Sequence, residues 1–219
     1  MSCSNFAAMN LPVVSAALLP PKDPLLTADI RKIVAARRKD LLGLRDCALL
    51  LVGFSGGFRR SELASINICD LKFSTDGVRA NLRKSKTDQE GGGREVGLPF
   101  GRSKKTCPVR ALSRWLTESR IKEGPVFSSV GRYGHVSRRG LHKDSIGKLL
   151  KRAAALANQK VDALGRHSLR AGCITQCAMN GIREFVIMRH SGHKTVENLR
   201  HYIRNGEMFR ENAAAGLGI

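Results

Sequence analysis

The sequence predicts an α+β, mostly α-helical domain with a small three-stranded antiparallel sheet. Three observations carry that expectation. Apolar residues recur at helical spacing along most of the chain, alternation of the β kind is confined to the stretch between Ile66 and Leu98, and glycines and prolines punctuate the periodic segments. With 219 residues, 42% of them hydrophobic, the chain can bury a substantial core, fits one large domain or two small ones, and is not a disordered polymer.

Residues 1–23 are apolar, rich in small residues and without a clean period. They lead into Leu19-Pro20-Pro21-Lys22-Asp23-Pro24 and read as a tail or linker stub. Thr27 is placed to cap a helix with Ile30, Ile33 and Val34 on one face and Arg31, Lys32, Arg37 and Arg38 off it. A second helix, from about Leu42 to Phe54, is apolar nearly all round and belongs at the centre of the core, and Ser55-Gly56-Gly57 stops it. Three strands are expected at Ile66–Phe73, Val78–Leu82 and Arg94–Leu98. They are joined at Ser74-Thr75-Asp76-Gly77 and across Gln89–Gly93.

Pro108 suits a first helical turn, and Val109, Leu112 and Leu116 share a face behind it. Ile146, Leu149, Leu150, Ala153 and Leu156 mark a further amphipathic helix. A helix over Ser168–Met179 is broken by Gly181 and followed by another over Ile182–Arg189. There is no internal repeat and no low-complexity tract.

The chain carries 38 Lys and Arg against 18 Asp and Glu, a formal net charge of +20. Such a surface attracts a polyanion, and nucleic acid is bound through counterion release whatever its sequence. The longest apolar run, Cys47–Phe54, is far below the roughly 20 residues of a membrane helix, and no basic region opens a secretory signal, so an intracellular, soluble protein is expected. Six cysteines, Cys3, Cys47, Cys69, Cys107, Cys173 and Cys177, are too sparse for a disulfide scaffold and read as reduced core residues.

The last third holds the chemistry. His167-Ser168-Leu169-Arg170, Ser191-Gly192-His193 and Leu199-Arg200-His201-Tyr202 follow one another in a chain whose only other tyrosine is Tyr133. Nearer the front stand Gly56-Gly57-Phe58-Arg59-Arg60-Ser61-Glu62-Leu63 and the hairpin stretch Lys84-Ser85-Lys86-Thr87. Cys173-x3-Cys177-x12-His190-x2-His193 comes close to a Cys2His2 zinc pattern. Its histidine spacing is short, however, and both cysteines fall on one predicted helix, so no metal site is assigned.

The constellation Arg59, Lys86, His167-x-x-Arg170, Gly192-His193 and Tyr202 resembles the catalytic domain of the tyrosine recombinases, the phage integrase family that includes the Cre and Xer proteins. The resemblance runs from Pro24 to the C-terminus. It implies a DNA breaking-rejoining catalytic domain over residues 24–219 that cleaves and rejoins double-stranded DNA through a 3′-phosphotyrosyl intermediate with no cofactor. It also implies that residues 206–219 dock on a neighbouring protomer in a tetramer on two DNA sites. The family's helical core-binding domain has no counterpart in residues 1–23. A cytoplasmic, nucleoid-associated protein of bacterial or phage origin is expected. Two other readings stay open: a non-catalytic basic DNA-binding protein descended from an integrase, and a type IB topoisomerase-like relaxing enzyme.

Each role has a physical reason. Attack on a phosphodiester adds negative charge to the non-bridging oxygens, and the paired donors of Arg59 and Arg170 match that geometry. Glu62, one turn beyond Arg59 if a helix continues from Phe58, is placed to orient it. A phenol has a reference pKa of about 10, so Tyr202 as nucleophile needs help to lose its proton, and His167 is the candidate base. Lys86 can protonate the leaving 5′ oxygen, with Lys84 as the competing choice. His193 can hydrogen-bond a non-bridging oxygen. Arg60, Arg83, Lys84, Arg166 and Lys194 are expected on the DNA, while His190, His201 and Tyr133 are read as structural, DNA-facing or solvent-facing.

Overall fold

A computed structural model of the chain describes residues 24–82, 93–162, 164–165, 167–197, 199–200 and 202. The first helix, α1 (Thr27–Ala35), buries Ile30, Ile33 and Val34. Thr27 is its first helical residue and not its cap. The carboxylate of Asp29 accepts from the Leu26 N–H at 3.0 Å, and the Thr27 N–H is held by Gln176 Oε1 at 3.1 Å. The central helix α2 (Leu41–Ser55) starts where Asp40 accepts from the Gly43 N–H at 2.9 Å, and its Leu49, Leu50, Leu51 and Val52 are all buried. Gly57 adopts φ +56, a left-handed conformation open to glycine at little cost, and turns the chain into α3 (Arg60–Ser65).

The three-stranded sheet is present, in the order β1 (Leu71–Phe73), β2 (Gly77–Leu82), β3 (Arg94–Pro99), antiparallel throughout. Ala80 pairs with Val96 and Val78 with Leu98, so one face of the sheet is apolar and buried. The strand expected over Ile66–Phe73 is shorter. Ile68–Asp70 form a 3-10 turn closed by the Asp70 carboxylate on the Asn67 N–H at 2.9 Å, and this local bond displaces strand pairing.

Helix α4 (Pro108–Ser119) begins at its proline and packs along α2. Its Trp115 is fully buried, and the indole N–H donates to the Val126 carbonyl at 2.7 Å. A two-stranded hairpin follows, β4 (Ser128–Val130) with β5 (Val136–Gly140), whose turn is the stretch 131–135. Sequence reasoning did not foresee it, because three residues and a Ser-Arg-Arg strand carry no apolar alternation. Helices α5 (Lys143–Leu156), α6 (Ser168–Met179) and α7 (Glu184–Ser191) complete the named elements, and Val196, Glu197, Leu199, Arg200 and Tyr202 are again helical. Leu156, expected on the apolar face of α5, is exposed at that helix's last turn.

Two apolar clusters result. The main core surrounds α2, and a small satellite of Ile174, Ala178, Ile187 and Leu199 joins α6 to α7, with Tyr202 packed against it. Among the described residues the cysteines Cys47, Cys69, Cys107, Cys173 and Cys177 are free thiols, and no helix is long and apolar enough to cross a membrane.

A charged knot lies inside α2. Arg45, only 4% exposed, donates to Asp46 Oδ1 from Nε at 2.9 Å and from Nη2 at 2.6 Å, while Arg152 of α5 reaches Asp46 Oδ2 at 2.7 Å. Asp46→Asn leaves the Arg45 charge uncompensated in the core and is expected to cost about 3–5 kcal/mol of stability, read as a shifted urea unfolding midpoint.

Candidate active site

Arg59 stands just before the first turn of α3, where the N–H groups of the helix face outward. Glu62 lies one turn on, and its carboxylate closes back on Arg59 twice: Oε2 accepts from the Arg59 backbone N–H at 2.7 Å, and Oε1 accepts from Nη1 at 2.7 Å. A single carboxylate thus starts the helix and sets the direction of the guanidinium. The other arm of Arg59, Nη2, reaches the Gly192 carbonyl at 3.5 Å, and the side chain stays 44% exposed.

Arg170, in the first turn of α6, is buried. Its Nη1 donates to the Gly57 carbonyl at 2.8 Å and to the Ser191 carbonyl at 2.6 Å, joining the end of α2 to the end of α7. Burial, followed by repulsion from Arg59, lowers its pKa to about 10, and Glu62 and Tyr202 act in the opposite sense. The guanidinium remains charged at neutral pH and is short of negative partners, which is the electrostatic condition for attracting an anion.

His193 follows Gly192, whose φ of +69 ends α7 in a left-handed cap. Ser191 Oγ spends its proton on the Ile187 carbonyl at 2.7 Å, so it accepts from His193 Nδ1, also at 2.7 Å. This assigns the Nδ1–H tautomer and leaves Nε2 to accept from Arg170 Nη2 at 3.1 Å. Burial, then Arg170 and Arg59, push the imidazole pKa down to about 4. Tyr202 completes the group. Its ring centroid lies 6.1 Å from that of His193, and its carbonyl accepts from Thr175 Oγ1 at 3.4 Å.

The structure therefore brings Arg59, Glu62, Arg170, His193 and Tyr202 together from α3, α6 and the segment after α7. His167 is exposed at the N-terminal cap of α6, and its carbonyl accepts from the Ala171 N–H at 2.8 Å. Lys194 is exposed beside His193. Arg60 turns the other way, toward Asp144 of α5 at 3.6 Å. Arg83, Lys84, Lys86, Arg166 and His201 lie outside the described residues, as do residues 1–23 and 206–219.

His190 is structural: its Nε2 donates to the Ser55 carbonyl at 2.8 Å, and burial lowers its pKa. Tyr133, 83% exposed, sits at the β4–β5 turn. Cys173 and Cys177 occupy successive turns of α6, and among the described residues no three His, Cys, Asp or Glu side chains gather as a metal-ligand set.

One residue of the cluster escaped sequence reasoning. Arg94, the first residue of β3, donates from Nη2 to Glu62 Oε2 at 2.9 Å and from Nη1 to the His190 carbonyl, and its guanidinium lies 5.9 Å from the centre of the Phe58 ring. Burial alone would raise the Glu62 carboxyl, but Arg94 and then Arg59 overcome it and hold the group below its usual range. A signal was present: Arg94 shares the strand face of Val96 and Leu98, both buried, and a charge on that face needs a partner.

The sequence model described as the phage integrase family matches residues 24–208. An integrase/recombinase xerD homolog of Selenomonas ruminantium is 38% identical over 173 residues, 79% of this chain and 51% of that protein. The tyrosine recombinase XerC of Corynebacterium glutamicum is 28% identical over 200 residues, 86% of this chain and 58% of that protein. The chain thus spans about half the length of the curated relatives it matches. In fold it is similar to the XerH site-specific recombinase in a post-cleavage complex with palindromic difH substrate, at a TM-score of 0.71 and 17% identity over 91% of this chain and 54% of that one. It is also similar to a lambda integrase dimer bound to a COC′ core site, at 0.59 and 17% identity over 91% of this chain and 52% of that one.

The His193 network is open to direct test. Nitrogen-15 spectra should show a neutral Nδ1–H imidazole at pH 6 that gains its second proton near pH 4. Because the folded pKa lies below the unfolded value of about 6.5, the unfolded chain binds the extra proton first as pH falls. Stability should therefore decline from about pH 6.5 to about pH 4, and His193→Gln should remove that part of the decline in urea titrations.

Proposed function

The chain belongs to the phage integrase family, and from that premise we propose that it is the catalytic portion of a site-specific DNA recombinase that breaks and rejoins strands through Tyr202. The observation that carries this reading is the meeting of a phenol, a neutral imidazole and a buried, under-neutralised guanidinium at Tyr202, His193 and Arg170.

A scissile phosphate seats between Arg59 and Arg170, which lack a full complement of negative partners and gain one when it binds. Tyr202 Oη attacks phosphorus and yields its proton to His167. The P–O5′ bond breaks, and the leaving oxygen takes a proton from Lys86 or Lys84. The product is a 3′-phosphotyrosine and a free 5′-hydroxyl. Religation is the reverse step, in which a 5′-hydroxyl attacks and Tyr202 leaves, so bond energy is retained and no ATP is consumed. Arg83, Lys84, Arg166 and Lys194 contribute phosphate contacts on the duplex, a role the +20 net charge supports, whereas Arg60, turned toward Asp144, is not given one. A cytoplasmic, nucleoid-associated location is part of the same proposal.

Residues 206–219, with Phe209, Ala213 and Leu217 at near-helical spacing, dock on a second copy in the tetramer we propose. An apolar groove of about 490 Å³, lined in part by Ile30, Phe54, Phe100, Ile182 and Val186, supports such a contact.

Nicked suicide duplexes with randomised centres should trap a covalent protein–DNA band in EDTA, and Tyr202→Phe should abolish it. Salt-sensitive DNA binding without a wild-type band would instead favour a non-catalytic DNA-binding protein. Deleting residues 206–219 should leave the trapped band on a half-site but remove the slower complexes containing several protomers in native gels.

A further inference from the structure

Arg94 belongs to none of the roles assigned so far, yet it touches Glu62 on one side of the site and the His190–Gly192 turn on the other. Its two terminal nitrogens are spent inward, Nη2 on Glu62 at 2.9 Å and Nη1 on the His190 carbonyl, and its guanidinium lies near the Phe58 ring with the side chain only 17% exposed. It also backs Gly192, where an added Cβ would lie 2.8 Å from Arg94 Cδ. An arginine so engaged has little left to offer a phosphate.

What it offers is a connection. Glu62 is the carboxylate that aims Arg59, and it shares its Oε2 between Arg94 and the Arg59 backbone N–H. His190 and Gly192 flank Ser191, the residue that holds both Arg170 Nη1 and His193 Nδ1. Arg94 therefore binds the aiming carboxylate with one nitrogen and the turn carrying the other clamp contacts with the second. Only a planar guanidinium spans two acceptors in this way, since an ammonium is a point donor.

We propose that Arg94 is a positioning residue for strand cleavage, locking the Glu62–Arg59 pair to the end of α7 so that both clamp arginines and His193 present one rigid phosphate seat. The proposal rests on the strand-cleavage reading above. It predicts that loss of the fork slows chemistry without weakening DNA binding, because a misplacement of about 1 Å costs on the order of 100-fold in rate, while affinity is supplied by many other cations.

The test compares wild type, Arg94→Lys and Arg94→Met in single-turnover formation of the covalent adduct on a nicked duplex, with duplex affinity and thermal midpoint measured alongside. Each protein is also given a duplex whose bridging 5′ oxygen is replaced by sulfur, a leaving group that departs without a proton. Arg94→Lys, which keeps the charge and secures folding, should form adduct on the order of 100-fold more slowly at unchanged affinity, with Arg94→Met at least as slow, and sulfur should restore neither. Wild-type rates in Arg94→Lys would overturn the proposal. So would restoration by sulfur, which would assign Arg94 to leaving-group protonation, or a rate loss matched by an equal loss of affinity.

An arm that needs no cleavage separates this proposal from the function beneath it. The guanidinium resonances of Arg59, assigned with Arg59→Lys, should shift and lose exchange protection in Arg94→Lys, and unchanged resonances would overturn the proposal. If wild type forms no adduct at all, the cleavage reading fails, and the Arg59 resonances alone decide whether Arg94 positions it.

Discussion

A guanidinium that is 4% exposed must have its donors met inside the protein, and Arg170 meets its Nη1 with two backbone carbonyls, those of Gly57 and Ser191. The need to supply those carbonyls draws two chain turns to one point. Gly57 can present its carbonyl because its left-handed φ stops α2 abruptly, and Ser191 can because Gly192 ends α7 in the same way. The proposed phosphate seat is thus built from helix ends, where carbonyls and N–H groups are left over from the helical ladder. Dipoles satisfy the guanidinium's geometry but leave its charge largely unneutralised, while burial, then repulsion from Arg59, depresses the Arg170 pKa.

Among the described residues, charge is arranged so that one carboxylate works among three guanidiniums. Glu62 is fully committed to Arg59 and Arg94, and its ionised state is enforced by them. Had it paired with Arg170 instead, that buried guanidinium would have lost the unneutralised charge that draws an anion to it. Burial, and then the same surplus of cations, keeps His193 neutral, since a second proton on that ring would add a charge beside Arg170.

The segment bearing Tyr202 rests on a different foundation. It packs on the small cluster of Ile174, Ala178, Ile187 and Leu199 and not on the main core around α2. Local opening is governed by how much apolar surface a segment buries, so Tyr202, the proposed nucleophile, can move relative to the cation cluster at lower cost than that cluster itself can deform. For the proposed reaction, in which a strand is joined and released, a stiff seat and a more yielding nucleophile suit each other.

Much of this was legible in the chain. Helical periodicity, Pro108 and Gly181 located the helices, because those signals are local and the physics that reads them is local. The strand over Ile66–Phe73 misled, since its apolar residues look alternating while Asp70 bonds Asn67 and turns the backbone. The β4–β5 hairpin was invisible for want of an apolar face. Residue types and their order, from Arg59 to Tyr202, determined which chemical groups the protein owns and which family it belongs to. Tertiary structure alone decided that Arg94 joins them, that His193 carries its proton on Nδ1, and that Arg170 reaches Gly57 across 113 residues. The reason is that these contacts run through backbone carbonyls, and every residue has one: residue type says nothing about which carbonyl a buried guanidinium will meet until the chain has folded.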